Sequence, residues 1–338
     1  MIFFDTTSAS SWRHASGLAR VSRRLKDALG DAATEAAWPD IAAKPSKSDW
    51  MLTPELFSEA ERPGFTAFLE KRPCRLAAVY HDAIPLRFPD ITWPRSVERH
   101  PGYMKLLARF DRVWAVSAAS RDELLAFWEW QGVARPPPVD VLAPGADWEG
   151  IPRSGACAAP AGPPAIVCVG ILEPRKNQLM LLDACEALRA EGLDMDLHLV
   201  GRVNPHFGGP TARRVESMRE RWPGLRHHAG LDDAGLAALI RSARVTALPS
   251  IAEGCGLPLL ESLWMGVPCV CSDIAPVAEN AAGGGCRVVP GNTLAGWTQA
   301  LRAVLTDDAL RARLAAEAAS RALPTWSAAA GVLREALR

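Results

Sequence analysis

Two glutamates stand eight residues apart in a glycine-rich segment that follows a predicted strand. The strand ends at Leu248, the segment 249–261 reads Pro-Ser-Ile-Ala-Glu-Gly-Cys-Gly-Leu-Pro-Leu-Leu-Glu, and a helix is predicted to begin near Leu257. Backbone N–H groups at such a helix start can bind an anion. The carboxylates of Glu253 and Glu261 can each accept two hydrogen bonds from a vicinal diol, such as ribose or a sugar. Glutamate pairs at arbitrary spacing are usually solvated, so the glycine-rich context carries this prediction.

Two cations follow another predicted strand. Residues 170–177 read Gly-Ile-Leu-Glu-Pro-Arg-Lys-Asn, in which Gly170 permits a sharp turn and Pro174 suits the first turn of a helix. Arg175 and Lys176 would then lie at a helix N-terminus, where the helix dipole disfavours cations. A bound pyrophosphate would explain them, with arginine forking onto it and lysine acting as a point charge. A solvated charged cap is the alternative.

The first half of the chain has two further strand-to-helix junctions. His81 and Asp82 follow a predicted strand in the segment Val79-Tyr80-His81-Asp82-Ala83-Ile84-Pro85, where histidine can serve either structure or chemistry. Gly17 opens the first predicted helix and would let a phosphate approach the backbone closely.

Short apolar runs alternate with longer helical patterns along the chain, which predicts an α/β fold with parallel sheets covered on both faces. The strand candidates are Ile2–Asp5, Asp49–Leu52, Leu76–His81, Arg112–Ser117, Val139–Leu142, Ala165–Gly170, Met195–Gly201, Leu225–His228, Val245–Leu248, Pro268–Cys271 and Cys286–Val289. The helix candidates are Gly17–Leu29, Pro54–Glu70, Glu98–Phe110, Ala118–Trp130, Asn177–Ala190, Thr211–Arg221, Asp232–Ser242, Leu257–Met265, Pro276–Ala281 and Thr293–Leu305, with a helical segment 309–338 that breaks at Pro324. In such sheets, ligands bind at the carboxyl ends of the strands, where all four junctions lie.

The length of 338 residues suits two domains of about 150 residues each. Prolines and glycines cluster over 135–164, which predicts the linker and a hinge. We therefore expect domains at 1–150 and 151–322, followed by a C-terminal helix at 323–338.

Composition narrows the class of protein. Lys+Arg and Asp+Glu both number 38, so a strongly basic nucleic-acid binder is not expected. The eight cysteines contain no C-x-x-C pair and are interpreted as buried free thiols in a reducing compartment. The first residues do not have the pattern of a signal peptide and no apolar run reaches about 18 residues, so a cytoplasmic location is expected.

These motifs together resemble a known family. Ser250-x-x-Glu253-Gly-x-Gly-Leu-Pro-x-x-Glu261, with Gly170-x-x-Glu-Pro-Arg-Lys-Asn upstream, resembles glycosyltransferase family 4, the retaining GT-B enzymes. The forms His81-Asp82-x-Ile-Pro and Glu-Pro-Arg-Lys-Asn are similar to the bacterial mannosyltransferase-like branch that builds lipopolysaccharide and other surface polysaccharides. The resemblance covers nearly the whole chain and is most specific in the second half.

The resemblance implies a GT-B fold, with two Rossmann-like parallel-sheet domains facing across a cleft. The first domain would lie on the acceptor side, the second would bind the nucleotide sugar, and the last helix would return to the first domain. The implied donor-site residues are Gly17, His81, Gly170, Arg175, Lys176, Glu253, Gly254, Cys255, Gly256, Leu257 and Glu261.

Among these residues, the resemblance implies that Lys176 and Arg175 neutralise the leaving diphosphate and that Glu261 holds the ribose hydroxyls. Glu253 and the backbone of Gly254–Leu257 would hold the donor sugar, and His81 would contact it near the reacting carbon. Gly17 would line the diphosphate side from the first domain. Many family members have arginine directly after the first glycine, where this chain has Ile171, so Arg175 is expected to substitute from another backbone position.

The implied activity is the transfer of a hexose, with retention, to a glycan or lipid-linked acceptor in surface polysaccharide synthesis. GDP-mannose is the favoured donor by motif similarity; a UDP-sugar, or a non-catalytic descendant that only binds nucleotide sugars, is the alternative. No cofactor or metal is expected. The candidate for a metal site is Asp194-Met195-Asp196, but this segment precedes its strand and so lies away from the carboxyl ends. Peripheral contact with a membrane is a further hypothesis, with candidate residues Trp12, Arg13, Arg23, Arg24 and Trp93.

Overall fold

The structure is a computed structural model that describes residues 1–8, 17–156 and 162–338. It divides into two compact units: Met1–Gly145 with Pro324–Arg338, and Ala146–Leu323. Within these ranges each unit contains one six-stranded sheet in which all paired neighbours are parallel. The predicted α/β class with two Rossmann-like parallel sheets is confirmed.

The first unit has the strand order β2-β1-β3-β4-β5-β6. Its strands are β1 (Ile2–Asp5), β2 (Thr34–Ala36), β3 (Trp50–Thr53), β4 (Arg75–Tyr80), β5 (Arg112–Ala115) and β6 (Val139–Val141). Its helices are α1 (Gly17–Leu29), α2 (Trp38–Ala43), α3 (Phe65–Lys71), α4 (Ile84–Arg87), α5 (Pro94–Leu107), α6 (Ala118–Trp130) and the C-terminal α14 (Trp326–Ala336). Helix α14 packs against α1, and α5 and α6 contribute to the aromatic-rich core that covers the sheet.

The second unit has the order β12-β11-β10-β7-β8-β9. Its strands are β7 (Ala165–Val169), β8 (Asp196–Val200), β9 (Leu225–His228), β10 (Val245–Leu248), β11 (Cys269–Ser272) and β12 (Cys286–Val289). Its helices are α7 (Gln178–Ala190), α8 (Gly209–Arg219), α9 (Asp233–Arg241), α10 (Leu257–Trp264), α11 (Ala275–Ala281), α12 (Leu294–Thr306) and α13 (Asp308–Ser320).

Alternating strand residues of the second unit enter different cores. Ile166 and Cys168 pack with residues of α7 and α12, whereas Val167 packs with residues of α9. Both faces of β7 are therefore covered, which is why this strand reads as a continuous apolar run rather than as an alternating one.

The predicted helix Pro54–Glu70 is wrong over its first eleven residues, about three turns. Helix α3 begins only at Phe65, after Gly64 with φ of 81°, and Pro63 precedes that glycine. The residues before it are held by a buried ion cluster that includes Glu55 and Arg62. These tertiary contacts override the apolar periodicity that suggested a helix.

Part of the predicted linker 135–164 packs within the second unit. Trp148 is buried in a core cluster of that unit, and the Arg153 guanidinium donates to the carbonyl of Ala318 at 3.0 Å. The Ser154 N–H donates to the Trp264 carbonyl at 3.1 Å. Residues 148–154 are thus fixed by hydrogen bonds, and a hinge over the whole of 135–164 is too broad.

Seven cysteines lie in the described ranges, all as free thiols, and only Cys286 is more than slightly exposed. No helix within these ranges has both the length and the apolar character needed to cross a bilayer. Of the candidate membrane residues, Trp93 is 44% exposed but Arg24 is only 7% exposed, so Arg24 does not face a membrane. Trp12 and Arg13 lie outside the described residues.

Candidate functional site

The strand order of the second unit creates a crevice at the carboxyl ends of β7 and β10. These strands are neighbours, pairing Ile166 with Val245, and the chain leaves them in opposite directions towards β8 and β11. Loops diverge at such a switch point, and ligands of open α/β sheets bind there. The loop after β7 carries Arg175 and Lys176, and the loop after β10 carries Glu253.

These three side chains contact one another. Lys176 Nζ lies 2.5 Å from Glu253 Oε1, and Arg175 Nη1 lies 3.2 Å from Glu253 Oε2. Ser250 Oγ donates to Glu253 Oε1 at 2.6 Å. The structure therefore brings together Arg175, Lys176 and Glu253, three of the implied donor-site residues, although they lie up to 78 positions apart in the chain.

The cations keep Glu253 ionised. Burial would raise the pKa of this carboxyl, but the charges of Lys176 and Arg175 and the hydrogen bonds from Lys176 and Ser250 outweigh burial and hold the pKa at about 2. A carboxylate with this pKa is a poor proton donor at neutral pH. It can accept hydrogen bonds from hydroxyls.

The sequence missed a second carboxylate in this cluster. Glu173 is buried and accepts hydrogen bonds from Arg175 Nε at 3.0 Å and from Asn204 Nδ2 at 2.8 Å. Arg175 Nη1 also donates to the carbonyl of Ala252 at 2.9 Å. Arg175 is thus fixed in one orientation, beside the Glu253 loop. Glu173 stands inside the Glu-Pro-Arg-Lys-Asn motif, but its role became visible only with Asn204 beside it.

The predicted helix N-terminus at the two cations is wrong. Pro174–Lys176 form a separate 3-10 turn, and Asn177 with φ of 51° breaks it from α7. The stem of Lys176 lies over Gly170, where a Cβ atom would come within 3.2 Å of Lys176 Cδ and Cε. Gly170 therefore gives the lysine stem room.

A second glycine at this edge is required sterically. A Cβ atom on Gly201, which follows β8, would lie 2.3 Å from the Gly170 carbonyl oxygen. Gly201 lets the loops after β7 and β8 pack backbone to backbone. Asn204 then accepts the backbone N–H groups of His206 and Phe207 at 2.9 and 3.2 Å, which orders the loop.

The glycine-rich loop after β10 has the predicted strand–loop–helix form. Gly256 has φ of 78° and precedes α10, and a Cβ atom there would meet Val277 at 3.2 Å. Asn280 Nδ2 donates to the Cys255 carbonyl at 2.6 Å, which ties the loop containing Gly254 to α11. Leu257 is buried at the first position of α10.

Glu261 lies one turn into α10 and is only 4% exposed. A buried carboxylate is rare unless it is paired or hydrogen-bonded. Its place on the helix that follows the Glu253 loop agrees with the predicted position.

In the first unit, His81 follows β4 and is buried. Its Nε2 lies 2.8 Å from the Pro54 carbonyl, which can only accept, so Nε2 carries the proton. Burial lowers the pKa of His81, against the opposing effects of Pro54 and Asp82. The neutral ring therefore presents Nδ1 as an acceptor. Ser120 Oγ donates to the His81 carbonyl at 2.7 Å and fixes the backbone.

Gly17 is the first residue of α1, and a Cβ atom there would meet nothing within 4 Å. Residues 9–16, which directly precede Gly17, lie outside the described ranges.

A buried ion cluster that the sequence did not reveal lies at the switch point of the first unit, where β1 and β3 are neighbours. Arg62 Nη2 donates to Asp5 Oδ2 at 2.5 Å and to Glu55 Oε2 at 2.9 Å, and all three side chains are 0% exposed. Burial and the charge of Asp5 raise the pKa of Glu55, against the effects of Ser8 and Arg62. The carboxylates also accept the backbone N–H groups of Thr7 and Ser8, which anchors the chain just after β1.

Among the described residues, no group of three or more His, Cys, Asp or Glu side chains is placed to hold a metal ion. Asp196 begins β8 and therefore lies at the amino end of the sheet, as predicted.

The sequence that contains these motifs is similar to known glycosyltransferases. Residues 163–307 match the family described as "Glycosyl transferases group 1". The chain is 31% identical over 227 residues to the serotype-specific mannosyltransferase WbdA of Escherichia coli, a match that covers 60% of this chain and 26% of that protein. It is 35% identical over 153 residues to a phosphatidyl-myo-inositol mannosyltransferase of Mycobacterium leprae, covering 44% of this chain and 38% of the relative. The chain thus spans about a quarter to two fifths of these relatives.

The fold is shared more widely than the sequence. The crystal structure of Anabaena HepE in complex with UDP and glucose has a TM-score of 0.73 at 15% identity, covering 99% of this chain and 98% of that one. The GT-B fold class is therefore confirmed. Residues 163–307, which match the family described as group 1 glycosyl transferases, carry Arg175, Lys176, Glu253 and Glu261.

Proposed function

We propose that this protein is a retaining glycosyltransferase that moves mannose from GDP-mannose to a glycan or lipid-linked acceptor in the synthesis of bacterial surface polysaccharide or lipopolysaccharide. The observation that carries the proposal is the contact of Lys176 and Arg175 with Glu253 at the switch point of the second unit. The two mannosyltransferases among the relatives support mannose as the sugar. A UDP-sugar is the second candidate donor, because HepE was crystallised with UDP and glucose.

The proposed chemistry is the departure of a nucleoside diphosphate from the anomeric carbon of the sugar. Negative charge grows on the diphosphate as the bond breaks, and positive charge grows on the sugar ring. Cations in a partly buried site stabilise this charge more strongly than cations in bulk water do. Lys176 and Arg175 supply that stabilisation, Glu253 accepts sugar hydroxyls, and Glu261 accepts the ribose hydroxyls. His81 and Gly17 of the first unit stay predictions of the family resemblance, and the proposal includes no metal or cofactor.

The first test measures which nucleotide binds. Calorimetric titrations with GDP, UDP, ADP and CMP should show the tightest binding for GDP. If UDP binds most tightly, the proposed donor becomes a UDP-sugar instead of GDP-mannose. If none of the four nucleotides binds, the proposed function is wrong.

The second test measures catalysis. Lys176→Ala should lower kcat/KM for release of GDP from GDP-mannose by about 10²–10³-fold, the effect of removing one preorganised donor to developing negative charge. Lys105→Ala, at an exposed position on α5, serves as the control and should leave kcat/KM unchanged. Near-normal turnover in Lys176→Ala would remove Lys176 from the mechanism. Tight binding of GDP-mannose without any turnover, with acceptor glycans present, would instead identify a non-catalytic binding protein.

The cytoplasmic location and peripheral membrane contact remain parts of the proposal. Trp93 and Arg23 are exposed candidates for that contact.

A further inference from the structure

We propose that Glu253 is an internal competitor of the donor diphosphate: its carboxylate binds Lys176 and is released to the sugar hydroxyls when a nucleotide sugar binds. This inference rests on the proposed function, because it requires a diphosphate ligand. It adds that the enzyme distinguishes the intact donor from the nucleoside diphosphate product through Glu253.

The cation site of the second unit already contains an anion. Glu253 Oε1 lies 2.5 Å from Lys176 Nζ, and the side chains of Glu253 and Lys176 are only 8% and 11% exposed. Arg175 is shared between Glu253 and Glu173. The formal charges of the two cations and the two carboxylates sum to zero, so each cation already has a carboxylate partner.

Lys176 is the partner able to leave. Arg175 is held by Glu173, by the Ala252 carbonyl and by Glu253. Lys176 Nζ is bound to Glu253 at the end of a flexible stem that crosses the open face of Gly170. A diphosphate that approaches this edge would meet repulsion from Glu253 unless the ammonium group turns towards the phosphate.

Release of Lys176 changes what Glu253 can bind. Ser250 Oγ continues to donate to Oε1 and Arg175 continues to donate to Oε2, so the carboxylate keeps its orientation. The vacated position on Oε1 can accept a sugar hydroxyl. An intact donor therefore replaces the lost contact of Glu253, whereas a nucleoside diphosphate without a sugar does not. After transfer, Glu253 regains Lys176 and favours release of the product nucleotide.

The inference is tested by whether the substitution Glu253→Gln raises or lowers the affinity for GDP. Glu253→Gln removes the competing charge while keeping the shape of the side chain, so it should bind GDP about tenfold more tightly than the wild type in calorimetric titration at 0.1 M salt. The ratio of the affinities for GDP-mannose and GDP should fall in the same variant. If UDP is the preferred nucleotide, the same affinities are measured for UDP and UDP-glucose in place of GDP and GDP-mannose.

Glu191→Gln is the matched control, since it removes one carboxylate at the opposite end of α7, about 20 Å away by helix rise. Glu191 pairs with the partly exposed Arg302. The affinity of the Glu191→Gln variant for GDP should stay within twofold of that of the wild type. Equal tightening in both variants would mean that only net charge matters and would overturn the inference.

Unchanged or weaker GDP binding by Glu253→Gln would also overturn it, because Lys176 would then contact Glu253 and phosphate together. The proposed function would survive that result as long as the wild type binds GDP and Lys176→Ala does not. If Glu253→Gln does not fold, Glu253→Asp keeps the charge but withdraws it by one methylene group. That variant should tighten GDP binding by a smaller factor, and its failure to do so would refute the competition.

Discussion

The low pKa of Glu253 also predicts a pH-dependent contribution to the stability of the fold, which can be measured without substrate. Its pKa lies at about 2 in the folded chain, against an ordinary value of 4.5. Because the folded state holds the ionised carboxylate more tightly than the unfolded chain does, the carboxylate stabilises the fold at neutral pH. That contribution is complete above about pH 4.5 and is lost as the pH falls towards 2.

The size of this stabilisation follows from the difference between the pKa values of Glu253 in the folded and unfolded states. At 1.36 kcal/mol per pKa unit, ionised Glu253 contributes about 3 kcal/mol to the free energy of unfolding at pH 7. About 2 kcal/mol of this should be lost by pH 3. In Glu253→Gln the contribution is absent at every pH and Lys176 is left with a buried, uncompensated charge, which is strongly destabilising.

The assay compares urea unfolding of the wild type and Glu253→Gln at pH 3, 4.5 and 7, followed by far-ultraviolet circular dichroism. The wild type should be more stable by about 3 kcal/mol at pH 7, and this margin should shrink steadily in acid. Glu191→Gln, at a carboxylate that is 51% exposed, should show a small and nearly constant difference. A margin that does not change with pH would refute the reasoning, since it would mean that the cations do not hold the pKa of Glu253 down.

Two further predictions concern the framework that positions the site. Gly201→Ala should destabilise the second unit by about 2–4 kcal/mol, because its Cβ atom would lie 2.3 Å from a backbone oxygen; Gly230→Ala, where nothing lies within 4 Å, is the thermal-unfolding control. Equal melting temperatures for the two variants would contradict the close packing of the loops after β7 and β8. Arg62→Met should cost about 3–5 kcal/mol of unfolding free energy, since it leaves two fully buried carboxylates without their cation. Arg72→Met, at a guanidinium that is 51% exposed, should cost less than about 1 kcal/mol, and a similarly small loss in Arg62→Met would show that the buried cluster does not support the fold.

Local sequence was enough to predict most of the elements. Strand Val245–Leu248 has the bounds expected from its apolar run, because a buried parallel strand requires such a run. The edge strands Leu225–His228 and Cys286–Val289 also have the predicted bounds. The short edge strand β2 and the four-residue helix α4 were missed, since elements this short carry little periodic signal.

The site residues were predicted by type but not by their contacts. The chain itself contains the Glu-Pro-Arg-Lys-Asn and Glu-x7-Glu motifs, which drew attention to the two cations and Glu253 and predict the class of ligand. That Lys176 binds Glu253 was not predicted, because the two lie 77 residues apart and meet only when β7 and β10 become neighbours.

Sequence by itself determined which segments become strands and helices and which junctions carry charge, because both depend on neighbours along the chain. Only the tertiary structure decided how the charges pair, including the sharing of Arg62 between Asp5 and Glu55. The physical reason is that burial and Coulomb energy depend on distances across strands, and strand order sets those distances.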